Sequence, residues 1–237
     1  MSSWTKKPTN DSLVDQLVSE GNIEDEKSIS ALRKVDRKFY VLEKNKSSAY
    51  FDRPLGIGHE ATISAPHMHA MTLELLKDDL NPDLKEEPIS VLDVGSGSGF
   101  FTAVMGVLVS RNGKVVGIEH IPKLVEFGSS NIKNGNPELL EKGIVKIVEG
   151  DGRLGYEENA PYDVIHVGAC AKNGVPEKLI EQLKVGGKIV IPVEKSTGRQ
   201  YLECGIKKKN GKLETSQICG VRISFTIDSP IFKVCYN

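Results

Sequence analysis

Several features that would mark a specialised class of protein are missing from this sequence. No stretch of its 237 residues approaches the roughly 20 consecutive apolar residues of a membrane-spanning helix. The opening segment MSSWTKKPTNDS lacks the apolar stretch of a secretory signal. The formal net charge of −1 gives no basic excess of the kind that nucleic-acid-binding domains carry. We therefore expect a cytoplasmic protein that binds neither membranes nor nucleic acid.

Cysteine is also scarce, which bears on disulfides and metals. The four cysteines form no C-x-x-C pair and lie far apart, at Cys170, Cys204, Cys219 and Cys235. This spacing favours free thiols over a disulfide framework or a zinc site. His67 and His69 are a weak metal signal, because side chains two positions apart on a helix point about 200° away from each other. We expect no metal site.

The most informative stretch is VLDVGSGSG at residues 91–99. The apolar run Ile89–Val94 predicts a buried strand, and the apolar run Phe100–Val109 predicts a helix. Glycines at alternate positions between them allow a tight turn and a close approach of backbone N–H groups to a ligand. The N-terminus of the helix would face that ligand. An ordinary turn between a strand and a helix is the alternative if the loop is taken by itself.

Acidic residues at strand ends favour the ligand-binding interpretation. A dinucleotide fingerprint needs glycine where Phe100 stands, so a nicotinamide cofactor is disfavoured. The pattern D-x-G-x-G-x-G from Asp93 suits S-adenosylmethionine, which has no pyrophosphate. A second predicted strand, Lys114–Glu119, ends about 20 residues after the turn, where a carboxylate accepts ribose hydroxyls. A third, Ile144–Val148, leads to Asp151, which would accept a hydrogen bond from an adenine amino group.

Strand and helix patterns alternate from residue 89 to residue 193, which is typical of a parallel sheet with right-handed crossovers. Later predicted strands are Tyr162–Val167, Lys188–Val193 after a Val185-Gly186-Gly187 turn, and the edge strands Gln200–Lys207 and Leu213–Phe225. Residues 11–52 predict helices, the first capped by Asp11 or Ser12. We expect one α/β domain with an antiparallel C-terminal edge. Its parts are an N-terminal helical extension with an active-site loop (1–88), a cofactor-binding core (89–193) and C-terminal edge strands (194–237).

A second informative stretch is GHEATISAPHMHA at residues 58–70. A glycine-rich link, residues 54–58, leads into what reads as a polar loop that feeds a helix from about His67 to Leu80. Pro66 suits the first helical turn, which places Ser64 close to the N-cap. Ser64 is therefore either a structural cap or a hydroxyl that helps bind an anion at the helix N-terminus.

Six segments together resemble the protein-L-isoaspartate (D-aspartate) O-methyltransferase family. They are ATISAPHMHA (61–70), LDVGSGSG (92–99), VVGIEHI (115–121), GDGRLGY (150–156), APYDVIHVGA (160–169) and the V-P…P-V run (175–193). The resemblance extends from about Asp11 to Val193. It implies a Rossmann-like class I methyltransferase that uses S-adenosylmethionine and releases S-adenosylhomocysteine.

The resemblance also implies the reaction and its residues. The methyl group goes to the α-carboxylate of L-isoaspartyl residues, and less well D-aspartyl residues, in damaged proteins and peptides. Ser64 matches the active-site serine. The acceptor is ionised near neutral pH and needs no base, so Ser64 would position it for in-line attack. The implied or predicted cofactor-binding residues are Ala61, Thr62, Ile63, Ser64, His69, Asp93, Gly95, Ser96, Gly97, Ser98, Gly99, Glu119, His120, Asp151, Gly152 and Thr226.

Some positions depart from the family pattern. His59 and Glu60 stand where an aromatic residue and an amide are expected, and Glu119 replaces aspartate. The loop Cys170–Gly174 is one residue longer, and Thr226 aligns loosely by one residue. Two alternatives follow: a class I methyltransferase with another acceptor, and an inactive adaptor that only binds S-adenosylmethionine. We expect a monomer.

Overall fold

The computed structural model describes residues 7–172 and 174–223. The α-helices are α1 (Asn10–Ser19), α2 (Glu26–Lys34), α3 (Pro66–Leu76), α4 (Phe100–Val109), α5 (Pro122–Gly135), α6 (Pro137–Glu141) and α7 (Glu177–Gln182). The strands are β1 (Leu55–Gly58), β2 (Ala61–Ile63), β3 (Ile89–Val94), β4 (Gly113–Glu119), β5 (Val145–Glu149), β6 (Tyr162–Val167), β7 (Leu183–Glu194), β8 (Gln200–Lys207) and β9 (Leu213–Val221). Within these ranges no helix is long and apolar enough to cross a membrane.

Seven strands form the central sheet in the order β5-β4-β3-β6-β7-β8-β9. The first five are parallel neighbours, and β8 and β9 add an antiparallel edge. This confirms the predicted fold class. From β3 the chain proceeds outward to β4 and β5 and then returns to the other side of β3 as β6. Such a reversal opens a crevice outside the carboxyl ends of the strands, where ligands of α/β sheets bind.

Helix α4 is buried beside this crevice, and its apolar sequence explains its position. Eight of its ten residues are buried, since it packs against β4 on one side and α2 on the other. An apolar residue at almost every position therefore suits this helix, whereas a surface helix needs only one apolar stripe. The N-terminus of α4 directly follows the glycine turn.

The predicted loop before α3 is wrong, because β1 and β2 form a hairpin there. Gly58 pairs with Ala61, which leaves His59 and Glu60 as the two turn residues. Their φ angles of 50° and 59° are the positive pair that a type I′ turn requires, although neither residue is glycine or asparagine. The hairpin is held by burial of Ile57 and Ile63. Its strands are too short and glycine-rich to give an alternating pattern.

Other boundaries differ locally from the predicted ones. Thr9, not Asp11 or Ser12, caps α1, and it exchanges hydrogen bonds with Ser12 in a capping box. Helix α3 ends at Leu76 rather than Leu80. The segment Val185-Gly186-Gly187 lies inside β7, where the pairing with β6 shifts register. The predicted end of β9 at Phe225 lies outside the described residues.

The close approach of α5 to the glycine turn gives a test of the fold. A Cβ atom at Gly128 would lie 2.9 Å from the Gly97 carbonyl oxygen and 2.9 Å from Ile147 Cδ1. We expect Gly128→Ala to lower the free energy of unfolding by about 1–3 kcal/mol, because a backbone atom cannot move aside cheaply. Urea denaturation measures this. Ser130→Ala on the exposed side of α5 is the control and should change stability by less than about 0.5 kcal/mol. Equal effects of the two variants would contradict the proposed contact.

Candidate cofactor and acceptor site

A cavity of about 360 Å³ lies at the carboxyl ends of β3, β4 and β6. The β1–β2 hairpin, the first turn of α3 and residues 220–223 after β9 complete its walls. A smaller cavity of about 40 Å³ adjoins it and shares five residues with it. The shared residues are Thr62, Ser64, Gly95, Gly97 and Gly168.

The structure brings together most of the residues that the sequence singles out. Those that line the larger cavity are Ala61, Thr62, Ser64, Gly95, Gly97, Glu119, His120 and Gly152. The smaller cavity adds Ile63, His69, Asp93, Ser96 and Ser98. Gly99 and Asp151 line neither cavity, and Thr226 lies outside the described residues.

The glycine turn has a conformation that only glycine adopts readily. Gly95, Gly97 and Gly99 have φ angles of 77°, 50° and 78°. A side chain at any of these positions would strain the backbone. Gly99 is the N-cap residue of α4, which accounts for its absence from the cavity walls.

Glu119 connects this turn to β4. Its carboxylate accepts hydrogen bonds from the backbone N–H groups of Gly97 (3.0 Å), His120 (2.9 Å) and Ile121 (3.0 Å). The residue is almost completely buried but still forms part of the cavity wall. The ring Nδ1 of His120 also lies 3.1 Å from Oε1, whereas the N–H of Gly97 is the one hydrogen-bond donor to Oε2 among the described residues. A carboxylate oxygen has about two lone-pair positions, so Oε2 has one left for a ligand hydroxyl.

Asp151 is occupied by a neighbour. Arg153 donates to both carboxylate oxygens, with Nε 3.0 Å from Oδ1 and Nη2 2.6 Å from Oδ2. Burial by itself raises the pKa of Asp151, but the hydrogen bonds from Arg153 outweigh it and the pKa lies below its usual value. The carboxylate is thus ionised and fixed beside Gly152, and its contact with adenine stays a prediction.

A buried polar and aromatic cluster forms the floor of the smaller cavity. Asp93 accepts hydrogen bonds from Thr102 Oγ1 (2.5 Å) and from the ring of His166 (Nδ1, 2.7 Å). Phe101 packs edge-on against His166 and stacks on His69, with ring centroids 4.6 and 4.8 Å apart. Asp93 therefore serves first as an internal acceptor, and its contact with a cofactor stays a prediction.

Ser64 does not cap α3. The N-cap residue is Ala65, whose side chain makes no capping hydrogen bond, and Asp52 accepts the N–H of His67 instead. Within the described ranges no residue hydrogen-bonds the Ser64 hydroxyl, which belongs to a residue in the walls of both cavities. This geometry favours the ligand-binding interpretation of Ser64.

Sequence reasoning missed three charged residues around Ser64. Arg37 is fully buried and donates from Nη2 to the Ser64 carbonyl oxygen at 2.8 Å. Asp52 holds His67, and exposed Arg222 lines the larger cavity. Nothing in their local sequence marks them, because their partners are distant in the chain.

Three of the four cysteines lie in the described part of the chain. Cys170, Cys204 and Cys219 form no disulfide bond there, and Cys235 lies outside the described residues. Among the residues that the structure describes, no three His, Cys, Asp or Glu side chains are grouped as a metal site would need.

Comparison with known proteins shows to which family the chain belongs. Residues 8–226 match the sequence model of the family described as protein-L-isoaspartate(D-aspartate) O-methyltransferase (PCMT). The chain belongs to this family. A protein-L-isoaspartate O-methyltransferase of Caenorhabditis elegans is 46% identical over 206 residues, which cover 87% of each chain. Protein-L-isoaspartate O-methyltransferase 1 of Arabidopsis thaliana is 46% identical over 185 residues, covering 78% of this chain and 77% of the relative.

A solved structure shares the fold over nearly the whole PCMT chain. It carries the name protein-L-isoaspartate O-methyltransferase, comes from Plasmodium falciparum and is in complex with S-adenosyl-L-homocysteine. The two chains are 35% identical, with a TM-score of 0.82, and the alignment covers 93% of this chain and 98% of the other. The resemblance inferred from the six segments is confirmed, and the fold is that of S-adenosylmethionine-dependent methyltransferases.

The burial of His69 in this PCMT member predicts a pH-dependent stability. Burial, and then the nearby Arg37, His166 and His67, hold the pKa of His69 well below its usual value. The unfolded chain takes up a proton near pH 6.5 that the folded protein does not, so stability falls as the pH drops below that value. The contribution of His69 has a slope of at most about 1.4 kcal/mol per pH unit.

Urea denaturation between pH 7.5 and pH 5 would detect this loss. We expect His69→Gln to show a shallower decline than the wild type. His59→Asn, in the exposed hairpin turn, is the control and should keep the wild-type slope. Identical slopes for wild type and His69→Gln would contradict the assignment.

Proposed function

We propose that this chain transfers a methyl group from S-adenosylmethionine to the α-carboxylate of L-isoaspartyl residues, and less well D-aspartyl residues, in damaged proteins and peptides. The observation that carries the proposal is the position of the Ser64 hydroxyl. It belongs to the wall of the cavity that also contains the glycine turn and Glu119. Membership of the PCMT family supports the reaction type and the substrate class.

The residues that line the two cavities suit S-adenosylmethionine. Among the described residues of the larger cavity, Glu119 is the one carboxylate, and it suits the ribose hydroxyls. Ser96 Oγ and His69 Nδ1 are buried polar atoms without a hydrogen-bond partner among the described residues, and both residues line the smaller cavity. Buried polar atoms are rarely left unpaired, so these two indicate a polar ligand group such as an amino-acid moiety.

With the cofactor bound, the chain has to bind the acceptor, orient it and exclude water from the site. The bound cofactor supplies an electrophilic methyl group on a cationic sulfur. The acceptor carboxylate is already ionised, so no residue needs to remove a proton. Ser64 donates a hydrogen bond to the acceptor and fixes the angle of approach, which is the largest contribution a positioning group can make. Because the reaction neutralises charge, a cavity with mostly apolar walls favours it.

We further propose that residues 1–237 form one methyltransferase domain that acts as a monomer in the cytoplasm. The β1–β2 hairpin, the first turn of α3 and the ends of three strands already line the cavity on several sides, which suits a monomer. The cysteines of the described residues form no disulfide bond, which suits a reducing compartment.

The proposed function is tested with two peptides that differ only in isoaspartate or aspartate at one position. We expect transfer of tritiated methyl groups from S-adenosylmethionine to the isoaspartyl peptide alone, as a base-labile ester. Cofactor binding without transfer to either peptide would overturn the substrate assignment. The chain would then be a methyltransferase with another acceptor or an inactive binding protein.

Ser64→Ala tests the positioning role. We expect kcat/KM for the isoaspartyl peptide to fall about 10- to 100-fold, the equivalent of one hydrogen bond to a charged group. The Kd for S-adenosylmethionine, measured by calorimetry, should change by less than about 3-fold, since Ser64 acts on the acceptor. Ser130→Ala provides the matched control. An unchanged kcat/KM would show that the Ser64 hydroxyl has no such role.

A further inference from the structure

We propose that His67 is a second side chain that binds the acceptor carboxylate, and that Asp52 is its positioning residue. This inference rests on the proposed function, because it names a further contact for the same acceptor. His67 and Ser64 are three positions apart at the start of α3, and both line the larger cavity. No other described wall residue on α3 carries a titratable side chain.

Asp52 fixes both the backbone and the ring of His67. Its Oδ1 accepts the His67 backbone N–H at 2.9 Å, and its Oδ2 lies 2.8 Å from the ring Nδ1. One carboxylate thereby replaces the missing N-cap side chain of α3 and sets the ring orientation. Since Nδ1–H donates to Asp52, Nε2 on the opposite edge is the ring nitrogen left for another partner.

Nε2 has no partner of its own in the part of the chain that the structure describes, and the His67 side chain is 38% exposed. A surface histidine on a helix with no functional role does not need to donate two hydrogen bonds to one part-buried carboxylate. The same arrangement, with one ring nitrogen held by a carboxylate and the other facing a cavity, is typical of functional histidines. Because His67 lines the same cavity as Ser64, the group that its Nε2 would contact is the acceptor carboxylate.

Arg37 makes the surroundings of His67 and Ser64 favourable for an anion. It donates to the Ser64 carbonyl oxygen, and its guanidinium lies 5.4 Å from the Phe100 ring centroid. Its Nε and Nη1 have no hydrogen-bond partner in residues 7–172 and 174–223. Burial lowers the pKa of Arg37 to about 9 against the opposing effect of Asp52, so it remains a cation near neutral pH. This positive charge lies next to the backbone of Ser64, and Asp52 is close enough to act on it electrostatically.

A carboxylate needs two contacts to be held in one orientation. A single hydrogen bond from Ser64 leaves the acceptor free to rotate, so either oxygen could face the methyl group at an unproductive angle. A second hydrogen bond, from His67 Nε2–H to the carboxylate, removes this freedom. The expected signature is therefore weaker acceptor binding without weaker cofactor binding when Nε2 is lost.

Two isosteric variants separate this role from a structural one. In His67→Asn the amide nitrogen takes the place of Nδ1, which keeps the bond to Asp52 but removes Nε2. In His67→Gln the amide nitrogen takes the place of Nε2. We expect His67→Asn to raise KM for the isoaspartyl peptide about 10-fold or more. The Kd for S-adenosylmethionine should stay within about 2-fold and the melting temperature should be unchanged, while His67→Gln should recover a substantial part of the KM.

The role of Asp52 is tested by a double-mutant cycle. We expect Asp52→Asn to raise KM in the same direction as His67→Asn, and the double variant to be no worse than His67→Asn alone, because residues that act through one another are non-additive. Unchanged KM in His67→Asn, or an equal loss of cofactor affinity, would overturn the proposal. Fully additive effects would overturn the positioning role of Asp52.

Assays of the wild type distinguish a failure of the proposed function from a failure of the proposed role of His67. Transfer to the isoaspartyl peptide by the wild type, with no change in His67→Asn, means that the proposed function stands and the role of His67 falls. Cofactor binding by the wild type without transfer to that peptide means that the proposed function falls and the role of His67 falls with it.

Discussion

The close approach of backbone to backbone around the glycine turn is the constraint on which the site depends. The turn packs against α5 because Gly99 and Gly128 have no side chains, and Gly97 leaves room for Ile57 of the hairpin. Glu119 then fixes the turn through the N–H of Gly97. A cofactor cavity beside β3 follows from these contacts, since any Cβ here would displace the loop or the helix.

Charge is distributed unevenly around the two cavities. Glu119 lies on the β4 side, where a neutral diol suits it, whereas Arg37 and His67 lie near the first turn of α3. A cationic cofactor on the Glu119 side would therefore lie near a carboxylate, and an anionic acceptor on the α3 side would lie near Arg37. Asp93 is almost completely buried, and Thr102 and His166 already donate hydrogen bonds to it.

Much of the fold and part of the site could be predicted from local patterns. Strands β3, β4 and β6 and helix α4 were predicted at or within one residue of their observed bounds, because buried parallel strands and a buried helix give continuous apolar runs. The β1–β2 hairpin was not predicted. Its strands are held by the burial of Ile57 and Ile63 against distant residues, and its turn uses His59 and Glu60 rather than a recognisable turn pair.

By itself, the sequence determined the α/β fold, the glycine turn, the acidic strand ends and the family, because each is encoded in contiguous residues. Only the tertiary structure decided which polar groups remain available. It paired Asp151 with Arg153 and Asp93 with His166. It made Ala65 rather than Ser64 the N-cap residue of α3. It also brought Arg37 and Asp52 to the start of α3. A hydrogen-bond partner far away in the chain leaves no local pattern, so the state of each candidate group depends on how the whole chain packs.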